Sequence, residues 1–224
     1  MTLVRNLAGP NIASDLCSAY KSLATCYLQH RSGLAASQSP DDISCFDSAI
    51  RATEEPIDLR ELRTRCELIG NDSERPVEVY NNLGHMFVLL KCIPILSSAG
   101  LSAPDFCSPT QQADHEGSRI ADLEGKGWAL EAYGGGNIMN NGKLAKDLRT
   151  LAGRANPETR IFLAFRQLAL PRSIEWVSGQ VIELKQNCPP SHGGPFKAVS
   201  RAQLLETQNG VSVFELFDIA IGSE

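Results

Sequence analysis

Four side chains in one short stretch have the types and spacing for metal chemistry. Asp122 and Glu131 stand nine positions apart, and Lys143 and Lys146 follow closely. Two carboxylates that share one face bind a hard divalent cation, since magnesium takes oxygen ligands and commonly uses one or two carboxylates with water and substrate phosphate. Glu131 lies between Leu130 and Ala132 in an apolar run, where a carboxylate is costly unless it meets solvent, a partner or a metal. Strict alternation would put it on an exposed face. By the same plain reading Asp122 is a solvated strand end beside a turn, and Asp147 is a surface charge with Lys143 as its i,i+4 partner.

The elements that must position these groups are short. Ile120 and Asp122, then Trp128 and Leu130, alternate with smaller or polar neighbours around Glu124-Gly125-Lys126-Gly127, which predicts two antiparallel strands and a tight turn. Gly134-Gly135-Gly136-Asn137 breaks the second strand. Asn140, Asn141 and Gly142 then precede a helix with Leu144, Leu148 and Leu151 on one stripe and Lys143, Lys146, Asp147 and Arg149 mostly on the other. An apolar strand, 160–165, follows.

Strand, turn, strand with an acid, helix with Lys-Asp-Leu, and apolar strand together resemble the restriction-endonuclease-like, PD-(D/E)XK nuclease superfamily, over about 78–165. The resemblance implies that Asp122 and Glu131 hold one or two magnesium or manganese ions and that a lysine two positions after the second acid orients or activates water. Here Glu131-Ala132-Tyr133 puts tyrosine at that position. Some members of the superfamily carry the lysine on the following helix, a role that falls to Lys143 or Lys146, with Lys143 nearer the helix start. Pro104-Asp105-Phe106 offers Asp105 as an alternative first acid, and Glu78, on the helix before the hairpin, matches a further acid of the family. Asn140, Asn141 and Arg149 are the candidates for substrate phosphate, although capping of the helix is the ordinary role of the two asparagines.

The resemblance implies an α/β (α+β) fold with a small mixed sheet flanked by helices, and metal-dependent hydrolysis of phosphodiester bonds in nucleic acid, DNA before RNA. Relatives that cut both strands are commonly dimers, so a homodimer is also expected. The alternative is a non-catalytic protein-interaction or regulatory module on the same fold, which Tyr133 and the acidic composition favour. A small-molecule enzyme using the Gly134 to Gly136 loop ranks third. Gly136 to Lys143 is not a phosphate-binding P-loop, because five residues separate Gly136 and Gly142 and Leu144 follows the lysine.

Composition narrows the classes. The 224 residues, 42% hydrophobic and 21% charged, suit a globular chain with a full core. A formal charge of −5 opposes broad nucleic-acid affinity, so a nuclease would need a local basic strip; Lys143, Lys146, Arg149, Arg154, Arg160 and Arg166 supply the candidates. Seven scattered cysteines without a CxxC pair favour buried free thiols over disulfides or zinc. The four histidines have no ligand spacing among themselves. The chain start lacks a secretory pattern and the apolar run 86–96 is broken by Lys91 and Pro94, so a cytoplasmic protein without a membrane span is expected.

The organisation expected is a helical N-terminal region, 1–70, packed on a nuclease-like core, 71–224. Helices are predicted at 13–29, 58–68, 77–90, 174–186 and 200–206, a loop at 97–117, and a strand at 211–219.

Overall fold

Gly127, in the left-handed conformation at φ 79°, is the second of two loop residues that reverse the chain between the strands Leu123–Gly125 and Trp128–Tyr133. The predicted hairpin is therefore present, although its first strand begins just after Asp122. A computed structural model describes residues 6–30, 76–110, 119–134, 147–148, 150–151, 154–166, 175–177, 181–186, 196–208 and 210–221. In chain order the elements are β1 (Leu7–Ala8), α1 (Ile12–His30), α2 (Pro76–Ser98), β2 (Pro104–Cys107), β3 (Leu123–Gly125), β4 (Trp128–Tyr133), β5 (Arg160–Arg166), β6 (Glu175–Val177), β7 (Val181–Gln186), β8 (Phe196–Gln208) and β9 (Val211–Ile221).

Nine strands, among the described residues, form one mixed sheet in the order β1-β2-β3-β4-β5-β9-β8-β7-β6. Only β4 and β5 pair in parallel there. The chain is thus α+β, as expected, but the sheet is larger than the small one expected, with nine strands among the described residues.

Parallel neighbours need a crossover. Residues 147, 148, 150, 151 and 154, in the connection from β4 to β5, are helical, with Leu148 and Leu151 buried.

Alternation along β4 and β5 sends side chains to two different layers. Trp128, Leu130 and Ala132, with Phe162 and Ala164, join Leu16, Leu83, Phe87 and other residues of α1 and α2 in one core. Ala129, Glu131 and Tyr133 alternate to the opposite face, where Tyr133 stacks on Phe165 at 5.1 Å and Phe165 meets Phe214 edge-on at 6.3 Å. Both faces are covered at the centre of the sheet. That explains why β4 is buried along its whole length.

Helix α2 is fixed at both ends by its sequence. Pro76 occupies the first turn, where its missing N–H is not needed. At the other end Gly100, at φ 79°, lets its N–H donate to the Ser97 carbonyl (3.0 Å) while Leu101 donates to the Leu96 carbonyl (3.1 Å), a Schellman closure. The helix runs past the predicted end at 90. No helix among the described residues is long and apolar enough to cross a membrane.

Three expectations are corrected. The region 174–186 is not a helix but the hairpin strands β6 and β7, and 200–206 is the middle of β8. The loop predicted over 97–117 contains β2. Strand β9 agrees with the predicted strand, and α1 with the first predicted helix. The predicted helix at 58–68 lies outside the described residues.

Candidate acidic site at the end of strand β4

Asp122 reaches its place through its neighbours. The Glu124 carboxylate accepts hydrogen bonds from the Ile120 amide at 2.5 Å and the Ala121 amide at 2.9 Å, with Arg119 Nη1 at 3.3 Å, and so bends the chain just before Asp122. The Asp122 carbonyl then accepts from the Ser108 amide at 2.7 Å. Its carboxylate Oδ2 accepts from the Ala132 amide at 2.9 Å, taking the place of a ladder carbonyl where β3 has not yet begun. Continuing the pairing Leu123↔Leu130 by one position sets Asp122 opposite Glu131.

Both acids are shielded from water, Asp122 at 4% exposure and Glu131 at 1%. The exposed face that alternation predicted for Glu131 is covered, because the sheet is buried on both sides here. Their negative charges meet at the Tyr133 phenol. Its pKa is held well above the usual value by burial first, then by the charges of Asp147, Glu131 and Asp122, and by its hydrogen bond to Asp147. That bond, Tyr133 Oη donating to Asp147 Oδ2, is 3.0 Å long. Asp147, expected on the surface, is therefore a half-buried neighbour of the acid pair.

Helix α2 closes the other side. A Cβ on Gly134 would collide with the backbone of Gly84 and the amide of His85, so the helix backbone lies directly on the end of β4. His85, fully buried, places Nε2 3.1 Å from the Ser108 carbonyl and 3.8 Å from Asp122 Oδ1. His85, Ser108, Tyr133, Asp147 and Glu124 were not singled out as positioning groups by the sequence. A Gly-His pair inside an apolar helix was the available signal for one of them.

The remaining candidates separate. Asp105, in β2, is 55% exposed and pairs with Arg119 at 2.8 Å, a surface ion pair in which Arg119 also lies over Phe106. Glu78 falls in the first turn of α2. Lys143, Lys146, Asn140, Asn141 and Arg149 lie outside the described residues.

Of the expected basic strip, Arg154, Arg160 and Arg166 are among the described residues. Arg154 is exposed, but Arg160 makes a bidentate pair with Glu215 at 2.6 and 2.8 Å, and Arg166 is buried over the Phe87 ring of α2. Burial pulls the Arg166 guanidinium below the usual arginine range.

The donor set suits a hard cation. Asp122 and Glu131 supply carboxylate oxygens, which fit magnesium or manganese with water and substrate oxygens completing the shell; zinc prefers nitrogen and sulfur ligands. His85 Nε2 faces a carbonyl, which only accepts, so that nitrogen carries the hydrogen and has no lone pair for a metal. Among the described residues no group of three or more His, Cys, Asp or Glu side chains is placed to hold a metal ion. Comparison with protein-family models, with curated proteins and with solved structures gives no match for this chain.

Proposed function

We propose that the chain is a divergent member of the PD-(D/E)XK nuclease superfamily that hydrolyses phosphodiester bonds of nucleic acid with magnesium or manganese. One observation carries the reading: a hairpin followed by a helical crossover and a parallel strand brings Asp122 and Glu131 to adjoining positions, buried, with their charges converging on one side chain. A bound divalent ion would polarise the phosphate and lower the pKa of water. The chain's own part is to hold two carboxylates at fixed positions. Asp122 is fixed by Ser108 and Ala132, and Glu131 by the β4–β5 ladder, where it pairs with Leu163. The DNA preference and the homodimer belong to the same proposal.

The lysine of the motif has no counterpart at its usual place. Tyr133 fills that position, stacked on Phe165 and bonded to Asp147. This specific packing favours a second reading, a non-catalytic interaction module that kept the fold and closed the site. Under the first reading Lys143 or Lys146 supplies the charge.

The deciding experiment is cleavage of plasmid DNA, single-stranded DNA and RNA with either metal, comparing wild type with Glu131→Ala. Metal-dependent activity that disappears in the variant supports the nuclease, and Lys143→Ala and Lys146→Ala then locate the lysine. No cleavage with any substrate supports the interaction module.

A further inference from the structure

We propose that His85 is a positioning residue for the acid pair, acting on Asp122 through Ser108; this rests on the nuclease reading given above. A continuous chain of contacts links helix α2 to the site. His85 Nε2–H donates to the Ser108 carbonyl at 3.1 Å. The Ser108 amide donates to the Asp122 carbonyl at 2.7 Å. The Asp122 carboxylate accepts from the amide of Ala132, the residue next to Glu131. Each acid is therefore referenced to the same helix.

The geometry gives His85 Nε2 this task and not that of a ligand atom. Its Nε2 hydrogen is committed to a carbonyl, and at 3.8 Å from Asp122 Oδ1 it is beyond hydrogen-bond distance but near enough to orient that oxygen electrostatically. Ser108 is equally constrained, since it is fully buried and its hydroxyl donates to the Thr110 carbonyl at 3.2 Å. Gly84, beside His85, lies against Gly134 at the end of β4, so the ring has little freedom to move away from Ser108. Groups that orient metal-binding residues from behind typically change metal affinity or activity by about 10–100-fold when removed.

The test uses the full chain, with manganese alone as probe, and variants of His85 and Asp122. His85→Leu removes the donor, and His85→Gln restores an amide N–H at similar reach. The expected result is Mn2+ affinity roughly tenfold weaker in His85→Leu and close to wild type in His85→Gln. In an Asp122→Asn background the His85→Leu substitution should add no further loss, because the histidine acts through that acid.

A second readout does not depend on metal. Hydrogen exchange of the Ala132 amide, which donates to Asp122, should accelerate on the order of tenfold in His85→Leu while the Phe162 amide in β5 keeps its rate. If the wild type binds no Mn2+, the nuclease reading fails, and the exchange of Ala132 still decides whether His85 positions Asp122. Should His85→Leu not fold, His85→Asn carries the test, since its shorter amide stays polar but falls short of Ser108. Unchanged Mn2+ affinity and unchanged Ala132 exchange in a folded variant would overturn the proposal, as would an equal loss in the Asp122→Asn background.

Discussion

Gly134→Ala would drive a methyl group into the backbone of Gly84 and the amide of His85. Neither is a side chain that can rotate away, so α2 must lift from the end of β4 or the strand must bend. Overpacking of this kind costs about 1–3 kcal/mol and occasionally more; contact with helix backbone sets the expectation near the top, about 3 kcal/mol. For a chain of this size each kcal/mol lowers the melting temperature by about 2–4 °C, so the shift should be roughly 6–12 °C.

Gly100→Ala is the matched control. Its backbone is left-handed at φ 79° but a Cβ there would meet nothing within 4 Å, so only conformational strain of about 1 kcal/mol applies. Thermal and urea unfolding of both variants decides the matter. Equal destabilisation of the two would refute the close approach of α2 to β4 and with it the placement of His85.

Other consequences follow from the same contacts. Asp105→Asn breaks an exposed pair with Arg119 and should change stability by less than about 1 kcal/mol, leaving Mn2+ binding unaltered; a loss of binding would restore Asp105 as the first acid. Tyr133→Phe removes one hydrogen bond to a half-buried Asp147 that water can replace, so chemical denaturation should register about 1 kcal/mol, and a change above about 3 kcal/mol would contradict that geometry. Burial pushes the Cys92 and Cys107 thiols above their ordinary 9.0, with Asp122 adding at Cys107, and the Tyr133 phenol stays above 10.0. The folded chain therefore keeps protons that the unfolded chain releases. Its stability should be full below about pH 9 and fall as pH rises beyond, with a shallower fall in Cys92→Ala. Denaturation midpoints that stay level from about pH 8 to pH 10.5 would be the opposite result.

The hairpin was legible because Gly125 and Gly127 mark the turn and the apolar residues alternate around it. Helix α2 was legible from Pro76 and its run of Val, Leu and Phe. Strands β6, β7 and β8 were not, although β9 was. The stretch 200–206, with Ala, Gln, Leu and Glu, has strong helix formers, but it pairs with the next strand, β9, in an antiparallel hairpin, and that tertiary pairing overrides them. In 174–186 the two short strands, 175–177 and 181–186, have an apolar spacing that also fits a helix. Strand β2 is four residues long, too short for a period to register.

At the site, residue types were readable and burial was not. Alternation correctly assigned Glu131 to the face opposite Leu130, yet what covers that face depends on the crossover between β4 and β5. The contribution of His85 was hidden for a similar reason, because its partner Ser108 is 23 residues away in sequence.

The most direct measurement is a Mn2+ titration, by electron paramagnetic resonance, of wild type, Asp122→Asn and Glu131→Gln. The wild type should bind the ion, and each substitution should weaken binding by about tenfold or more while the protein stays folded. A wild type that takes up no manganese, or variants that bind it equally well, would contradict the claim that these two acids form a metal site.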